Sequence, residues 1–175
     1  VYNDNAPFSN VELQFSGASD KLNYYVSGGV YNQKGIALGS DFKRYSFRAN
    51  LEARLNNWFK IGTNSAASYE DISEATSGEY TTVTPISAAR FMLPYWSPYK
   101  KDGSIASVAD DTWLGTNVNP LEWQANNPTT SNKWKVMANL YGELNPIEGL
   151  TIKSIGGIDF LDRRGDVSSN PSYLP

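Results

Sequence analysis

Residues 42–55 read FKRYSFRANLEARL. In extended chain Tyr45, Phe47, Ala49, Leu51, Ala53 and Leu55 fall on one side, and Arg44, Ser46, Arg48, Asn50, Glu52 and Arg54 on the other. A helix repeats its apolar positions every three or four residues, so this long run of strict period two specifies a strand. Asn56-Asn57 supplies a tight polar turn, and residues 58–69 (WFKIGTNSAASY) continue with Phe59, Ile61, Ala67 and Tyr69 opposed to Lys60 and Asn64. The segment 42–69 is therefore a hairpin.

The same reading extends outward in both directions. Upstream, Val11, Leu13 and Phe15 alternate with Asn10, Glu12, Gln14 and Ser16, and a Ser19-Asp20-Lys21 turn leads into LNYYVSGGVY at 22–31, giving a hairpin over 10–31. Downstream, Trp134, Val136, Ala138, Leu140, Gly142 and Leu144 alternate with Lys133, Lys135, Asn139, Tyr141 and Glu143. Residues 145–149 turn the chain back, for a third hairpin over 133–162 whose returning strand holds Gly156-Gly157, a pattern that marks a bend or a close approach.

The fold class is all-β: about six antiparallel up-and-down strands. Connections alternate in length, short at 19–21, 56–57 and 145–149, longer at 32–41 and very long at 70–132. Short turns on one side and long loops on the other suit the wall of a large transmembrane β-barrel, with 70–132 as an extracellular loop. Within it, Thr84-Pro85 opens a short helix that runs to Met92 and stops at Pro94, and Asp102-Gly103 signals a turn.

Composition narrows the function classes. Aromatic residues make up 13% and charged residues only 19%, with 14 Gly, a β-rich and turn-rich profile. A formal net charge of −3 provides no basic field for nucleic acid. Cysteine and histidine are both absent, which removes disulfides, thiol chemistry and the commonest general base. No catalytic constellation assembles from what remains, and no phosphate-binding glycine loop follows a strand and opens a helix, so neither an enzyme nor a cofactor is expected. No apolar run reaches the ~20 residues of a membrane-spanning helix, a test that a β-barrel escapes because only alternate positions are apolar.

Two groups of candidate site residues stand out. Trp96, Tyr99, Trp113 and Trp123 lie in the long loop among Asn, Asp and Gln; flat rings in such company bind sugar rings, or else form the loop's own small core. Arg44, Arg48, Glu52 and Arg54 share one strand face, which is the lumen of a barrel or the wetted face of a two-sided sheet. Asp102, Asp110 and Asp111 offer oxygen ligands, but their spacing fits no EF-hand loop.

Residues 24–64 also carry a specific combination of motifs: Ser27-Gly28-Gly29, Asn32-Gln33-Lys34-Gly35-Ile36, Asp41-Phe42-Lys43-Arg44-Tyr45, Arg48-Ala49-Asn50-Leu51 and Trp58-Phe59-Lys60-Ile61-Gly62. This run resembles a segment of the SusC/RagA group of TonB-dependent outer-membrane transporters, with Lys34 standing where that pattern has an acidic residue. The resemblance implies a parent with an N-terminal plug, a TonB-contacting segment and a barrel of about twenty-two strands. None of the plug lies in residues 1–175, so by the resemblance this chain is a piece of barrel wall that does not transport by itself. It further implies an outer-membrane importer of glycans or peptides, bathed by outer-membrane lipid and partnered by TonB and a SusD-like surface lipoprotein. The rival class is a soluble, secreted all-β carbohydrate-binding module, a sandwich whose Trp-rich loop holds the sugar.

Overall fold

The computed structural model describes residues 3–75, 87, 93, 95, 97–107, 119–168 and 170. These form six strands: β1 (Phe8–Ala18), β2 (Leu22–Lys34), β3 (Asp41–Asn56), β4 (Phe59–Glu74), β5 (Thr129–Ile147) and β6 (Leu150–Val167). One helix, α1 (Pro120–Asn126), precedes β5. The strands make a single antiparallel sheet in the order β1-β2-β3-β4-β5-β6, so each strand pairs only with its neighbours in sequence.

Continuous registers carry side-chain parity across the whole sheet. On one face Val26, Ala49, Ser65, Ala138 and Ile158 make a row, with Val30, Tyr45, Tyr69 and Trp134 in another. On the opposite face Tyr25, Asn50, Asn64, Asn139 and Gly157 make a row, with Asn23, Glu52, Gly62, Tyr141 and Ile155 below it. A one-residue slip anywhere would exchange the two sets, so the alternation itself fixes the register.

The sheet covers neither face with a core. Among the described residues the buried apolar side chains are Ala106, Pro120 and Leu121, all in the long connection. Phe47, Leu140, Val11, Ile158, Leu13 and Phe15 on the apolar face are 51% to 67% exposed. A sandwich would bury that face under a second sheet, and none exists among the described residues. The wall of a large transmembrane barrel buries it in lipid instead.

Aromatic residues bound the apolar band. Tyr45 and Tyr69 stand 6.3 Å apart between ring centroids and Tyr69 and Trp134 4.7 Å apart, a belt across three strands at the long-loop end. At the tight-turn end Trp58 stacks on Phe59 at 6.0 Å. Tyr69 and Phe59 lie ten residues apart on β4, roughly 33 Å of strand. At a barrel tilt of about 40° that is ~25 Å of height, the thickness of an outer-membrane apolar band.

Several strand limits differ from those read in the sequence. Each of β2 to β6 runs farther toward the long loops than alternation indicated, because polar residues beyond the aromatic belt still pair; the long connection shrinks from 70–132 to 75–128. Asn56 closes β3, and Trp58 sits in the turn, its amide held by Asn56 Oδ1 at 3.0 Å. A register shift between Arg54 and Asn56 takes up the odd residue. Residues 145–147, read as turn, belong to β5 across a second shift that accommodates Pro146, which has no amide to donate. Gly156-Gly157 stays in register with β5; the gap at Gly157 holds the Asn139 side chain, whose Oδ1 would lie 2.0 Å from an added Cβ. The helix expected over 84–92 lies, but for Ser87, outside the described residues.

Candidate functional site

The polar face carries the side-chain chemistry. Glu52, Gly62 and Tyr141 are in register on β3, β4 and β5, and the Tyr141 ring lies across Gly62 to donate its hydroxyl to Glu52 Oε2 at 2.8 Å. A Cβ on residue 62 would stand 2.3 Å from that ring, so the bridge needs glycine there. Asn23 Nδ2 donates to the other Glu52 oxygen at 3.4 Å. Lys60 pairs with Glu143 at 3.0 Å and Lys133 with Glu70 at 3.2 Å, both across the β4–β5 seam.

Higher on the same face a cavity of about 360 Å³ opens over β1 to β5. Its floor is small, with Ser27, Ser46, Ala66 and Ser68, and Arg44, Arg48, Lys135 and Glu12 stand around it. The Arg44 guanidinium lies 5.6 Å from the centre of the Tyr31 ring, which packs in turn on Phe8 at 6.5 Å and Phe42 at 5.8 Å. Polar side chains over a floor of Ser and Ala form a wetted surface that binds polar or charged groups; nothing in the set supplies a nucleophile with its base.

The long connection is organised around Asn119. This residue is fully buried, donates Nδ2 to the carbonyls of Pro98 at 3.0 Å and Ala106 at 2.6 Å, and accepts the Leu121 amide at 3.1 Å as the cap of α1. Helix α1 reaches the strand tops through Gln124, which donates to the Leu38 carbonyl. Gly39, at φ 79°, occupies the left-handed region, and an added Cβ would collide with Gln124. Tyr99 bridges Ile105 across a turn in which Asp102 Oδ1 accepts from the Ser104 amide at 3.0 Å and hydroxyl at 2.7 Å. Those two bonds hold the Asp102 carboxyl below its ordinary pKa and account for this aspartate as a turn residue.

Of the four loop aromatics, Tyr99 lines an open crevice with Leu38, Ile105, Leu121 and Gln124, and Trp123 is half-buried on α1. Trp96 and Trp113 lie outside the described residues, as do Asp110 and Asp111. Arg44, Arg48, Glu52 and Arg54 share the polar face, where Arg44 and Arg48 flank the cavity, Glu52 is taken up by Tyr141 and Asn23, and Arg54 sits near the turn. Lys135, Tyr141, Asn119 and Gln124 were not singled out from the sequence. Alternation placed Lys135 and Tyr141 on the polar side of their strand, but only the register across a 54-residue connection, 75–128, sets them opposite β3. Asn119-Pro120 carries the same cap-then-proline signal that was read at Thr84-Pro85.

No family model matches the chain. TonB-dependent receptor P26 of Formosa agariphila is 29% identical over 175 residues, covering 97% of this chain and 17% of the receptor. TonB-dependent receptor P3 of the same organism is 29% identical over 155 residues, 85% of this chain and 15% of the receptor. Among solved structures, the RagAB peptide importer in its closed-closed state matches with a TM-score of 0.77 at 29% identity, over 96% of this chain and 19% of the other. A second structure of the RagAB peptide transporter gives a TM-score of 0.72 at 29% identity, over 93% and 18%. The chain thus spans less than a fifth of the length of each of these relatives. With one lipid-suited face, one polar face, six meandering strands and these likenesses along nearly its whole length, the chain has the architecture of barrel wall and is similar to the SusC/RagA group of TonB-dependent outer-membrane transporters.

Proposed function

We propose that this wall belongs to an outer-membrane importer that takes up glycans or peptides, capped by a SusD-like surface lipoprotein and energised through TonB by way of a plug. The observation that carries the reading is the superposition of 96% of the chain, at 29% identity, on the RagAB peptide importer. The wall is built for that setting: an apolar band about as tall as a membrane is thick, and an inner face that binds water and polar solute. Receptors and importers are what the relatives are named, and no catalytic role is assigned.

In this reading the short turns after β1, β3 and β5 face the periplasm, and the 75–128 connection stands outside the cell as an extracellular loop. Asn119, Gln124 and Gly39 brace that loop against the strand tops, and Tyr99 and Trp123, with Trp96 and Trp113, contact solute or lipoprotein there. Arg44, Arg48, Glu52 and Arg54 face the lumen.

Fractionation of source cells, blotted with an antibody to this segment, tests the assignment. A large outer-membrane band that co-purifies with a lipoprotein is the expected result; a small band in the soluble or secreted fraction overturns it. Deleting 75–128 from the receptor is expected to weaken solute capture or lipoprotein recovery while the barrel still assembles, and unchanged uptake with unchanged partner recovery would remove the loop from the mechanism.

A further inference from the structure

The inner wall pairs some of its cations and leaves others. Lys60 and Lys133 have carboxylate partners within 4 Å, as does Arg163 with Glu74 at 3.3 Å. Around the cavity, Arg44, Arg48 and Lys135 have none among the described residues. Glu70, which also lines it, is already held by Lys133.

Register fixes how these three cations stand to one another. Ser46, Ser68 and Lys135 form one row across β3, β4 and β5. Arg44 lies two residues to one side of Ser46 along β3 and Arg48 two to the other, so the arginine Cα atoms are roughly 13 Å apart at the strand rise. Lys135 lies two strand spacings away, which puts its Cα roughly 12 Å from each. The result is a nearly equilateral triangle over Ser46 and Ser68, and its centre is roughly 7 Å from each corner, about the reach of an extended Arg or Lys side chain. The Arg44 guanidinium rests on the Tyr31 ring at the β2 edge of this triangle and reaches its centre by side-chain rotation, and three like charges within reach of one point repel each other there unless something negative fills it. Arg54, about 20 Å along β3 from Arg48, lies outside the triangle.

We propose that Arg44, Arg48 and Lys135 form a carboxylate-binding site on the lumen wall, and that the imported solute carries carboxylate groups. The inference rests on the importer reading above and narrows its substrate class. Charge complementarity selects the ligand: the two guanidiniums offer forked donors that match a carboxylate, the lysine adds a point charge, and the serine hydroxyls of the floor add neutral donors. Glu12 stands on the β1 side of the same cavity and repels an anion, confining it to the triangle. Acidic peptides and uronate-containing glycans share this chemistry.

The test uses the full receptor purified in detergent, after confirming that the wild-type and each variant fractionate with the outer membrane and migrate as a heat-modifiable barrel. Binding is measured for hexaglutamate against hexaglutamine, and for tetragalacturonate against maltotetraose. One carboxylate probe is expected to bind at least about tenfold more tightly than its neutral counterpart, and which one does so identifies the source as peptide or glycan. The double variant R44Q/R48Q is expected to abolish that preference and K135Q to reduce it, whereas E12Q, by removing the repelling carboxylate, is expected to tighten binding. A gain of affinity in E12Q has no explanation in misfolding. Carboxylate and neutral probes that bind alike, or a preference unaltered in R44Q/R48Q and K135Q, overturns the site while leaving the importer reading intact. A wild-type receptor found outside the outer membrane overturns both.

Discussion

Asn50 and Leu51 are consecutive on β3, and each heads a row that crosses the sheet. Asn50 aligns with Asn64 and Asn139, three amides on the polar side; Leu51 aligns with Thr63 and Leu140 on the apolar side. The backbone hydrogen bonds are common to both rows, so whatever distinguishes them comes from side chains and from the medium each face meets. In the proposed barrel wall the apolar row has lipid as its core, and the polar row has water or solute. The largest effect is therefore expected where the comparison is violated outright. Leu51→Arg puts a charge near mid-height of the apolar band and is expected to cost about 2–4 kcal/mol of barrel stability, whereas Asn50→Arg stays within about 0.5 kcal/mol. Unfolding titrations of the receptor in lipid vesicles compare the two; equal costs would mean that the faces are not divided between lipid and lumen.

The loop offers a sharper contrast, because its stability is separate from that of both faces. Asn119→Ala removes three hydrogen bonds from a fully buried site, taking from the Ala106 carbonyl its Asn119 donor and from the Pro98 carbonyl one of two donors, the Ala106 amide remaining. The expected loss is about 2–3 kcal/mol, confined to the ordering of 97–107 and α1. Limited proteolysis should then cut within 75–128 of the variant while the heat-modifiable barrel band is unchanged. A barrel that also fails to assemble would show that the loop is part of the wall's folding unit.

Within the wall, the Tyr141–Glu52 bridge measures how tightly the inner face is built. Gly62→Val displaces the Tyr141 ring and leaves the half-buried Glu52 carboxylate with Asn23 alone, at a cost of about 2 kcal/mol. In a Tyr141→Ala background the same Gly62→Val change is expected to cost little, since no ring remains to displace. Additive costs in the double-mutant cycle would assign glycine at 62 to backbone demands instead.

How much of this was legible in the sequence follows from the range of each signal. Alternation is local, so 42–55 alone specified a strand and its two faces, and the short turns at 19–21 and 56–57 specified the hairpins. The aromatic belt was also partly legible, in the parity of Tyr45, Tyr69 and Trp134, although their alignment needed two registers. The limits of strands were less legible, because beyond the belt the chain keeps pairing through residues of mixed character such as Ile72, Ser73, Thr129 and Thr130. The cation triangle was not legible: Arg44 and Arg48 announce themselves on one strand, but Lys135 joins them only through a pairing that spans 75–128. Asn119 was missed for a different reason, since its cap signal was present and its two carbonyl partners at Pro98 and Ala106 are tertiary.

The smallest expected effect is the most informative about the lumen. Lys133 and Glu70 meet at 3.2 Å, with side chains 33% and 17% exposed. If water fills the space above them, the pair is screened and Glu70→Gln is expected to cost about 0.5 kcal/mol or less at low ionic strength, fading toward zero at about 1 M salt, where the screening length shrinks to roughly 3 Å. If protein covers this stretch of wall in the assembled receptor, the same substitution strands Lys133 in a poorly hydrated site and costs several kcal/mol with little salt dependence. The unfolding midpoint of Glu70→Gln at low and high salt thus reads whether the inner face beside the cavity is wet. A wet result keeps the lumen side of the comparison as drawn and leaves the cavity open to solute; a dry one would make this row a packing surface, with two buried faces on one sheet.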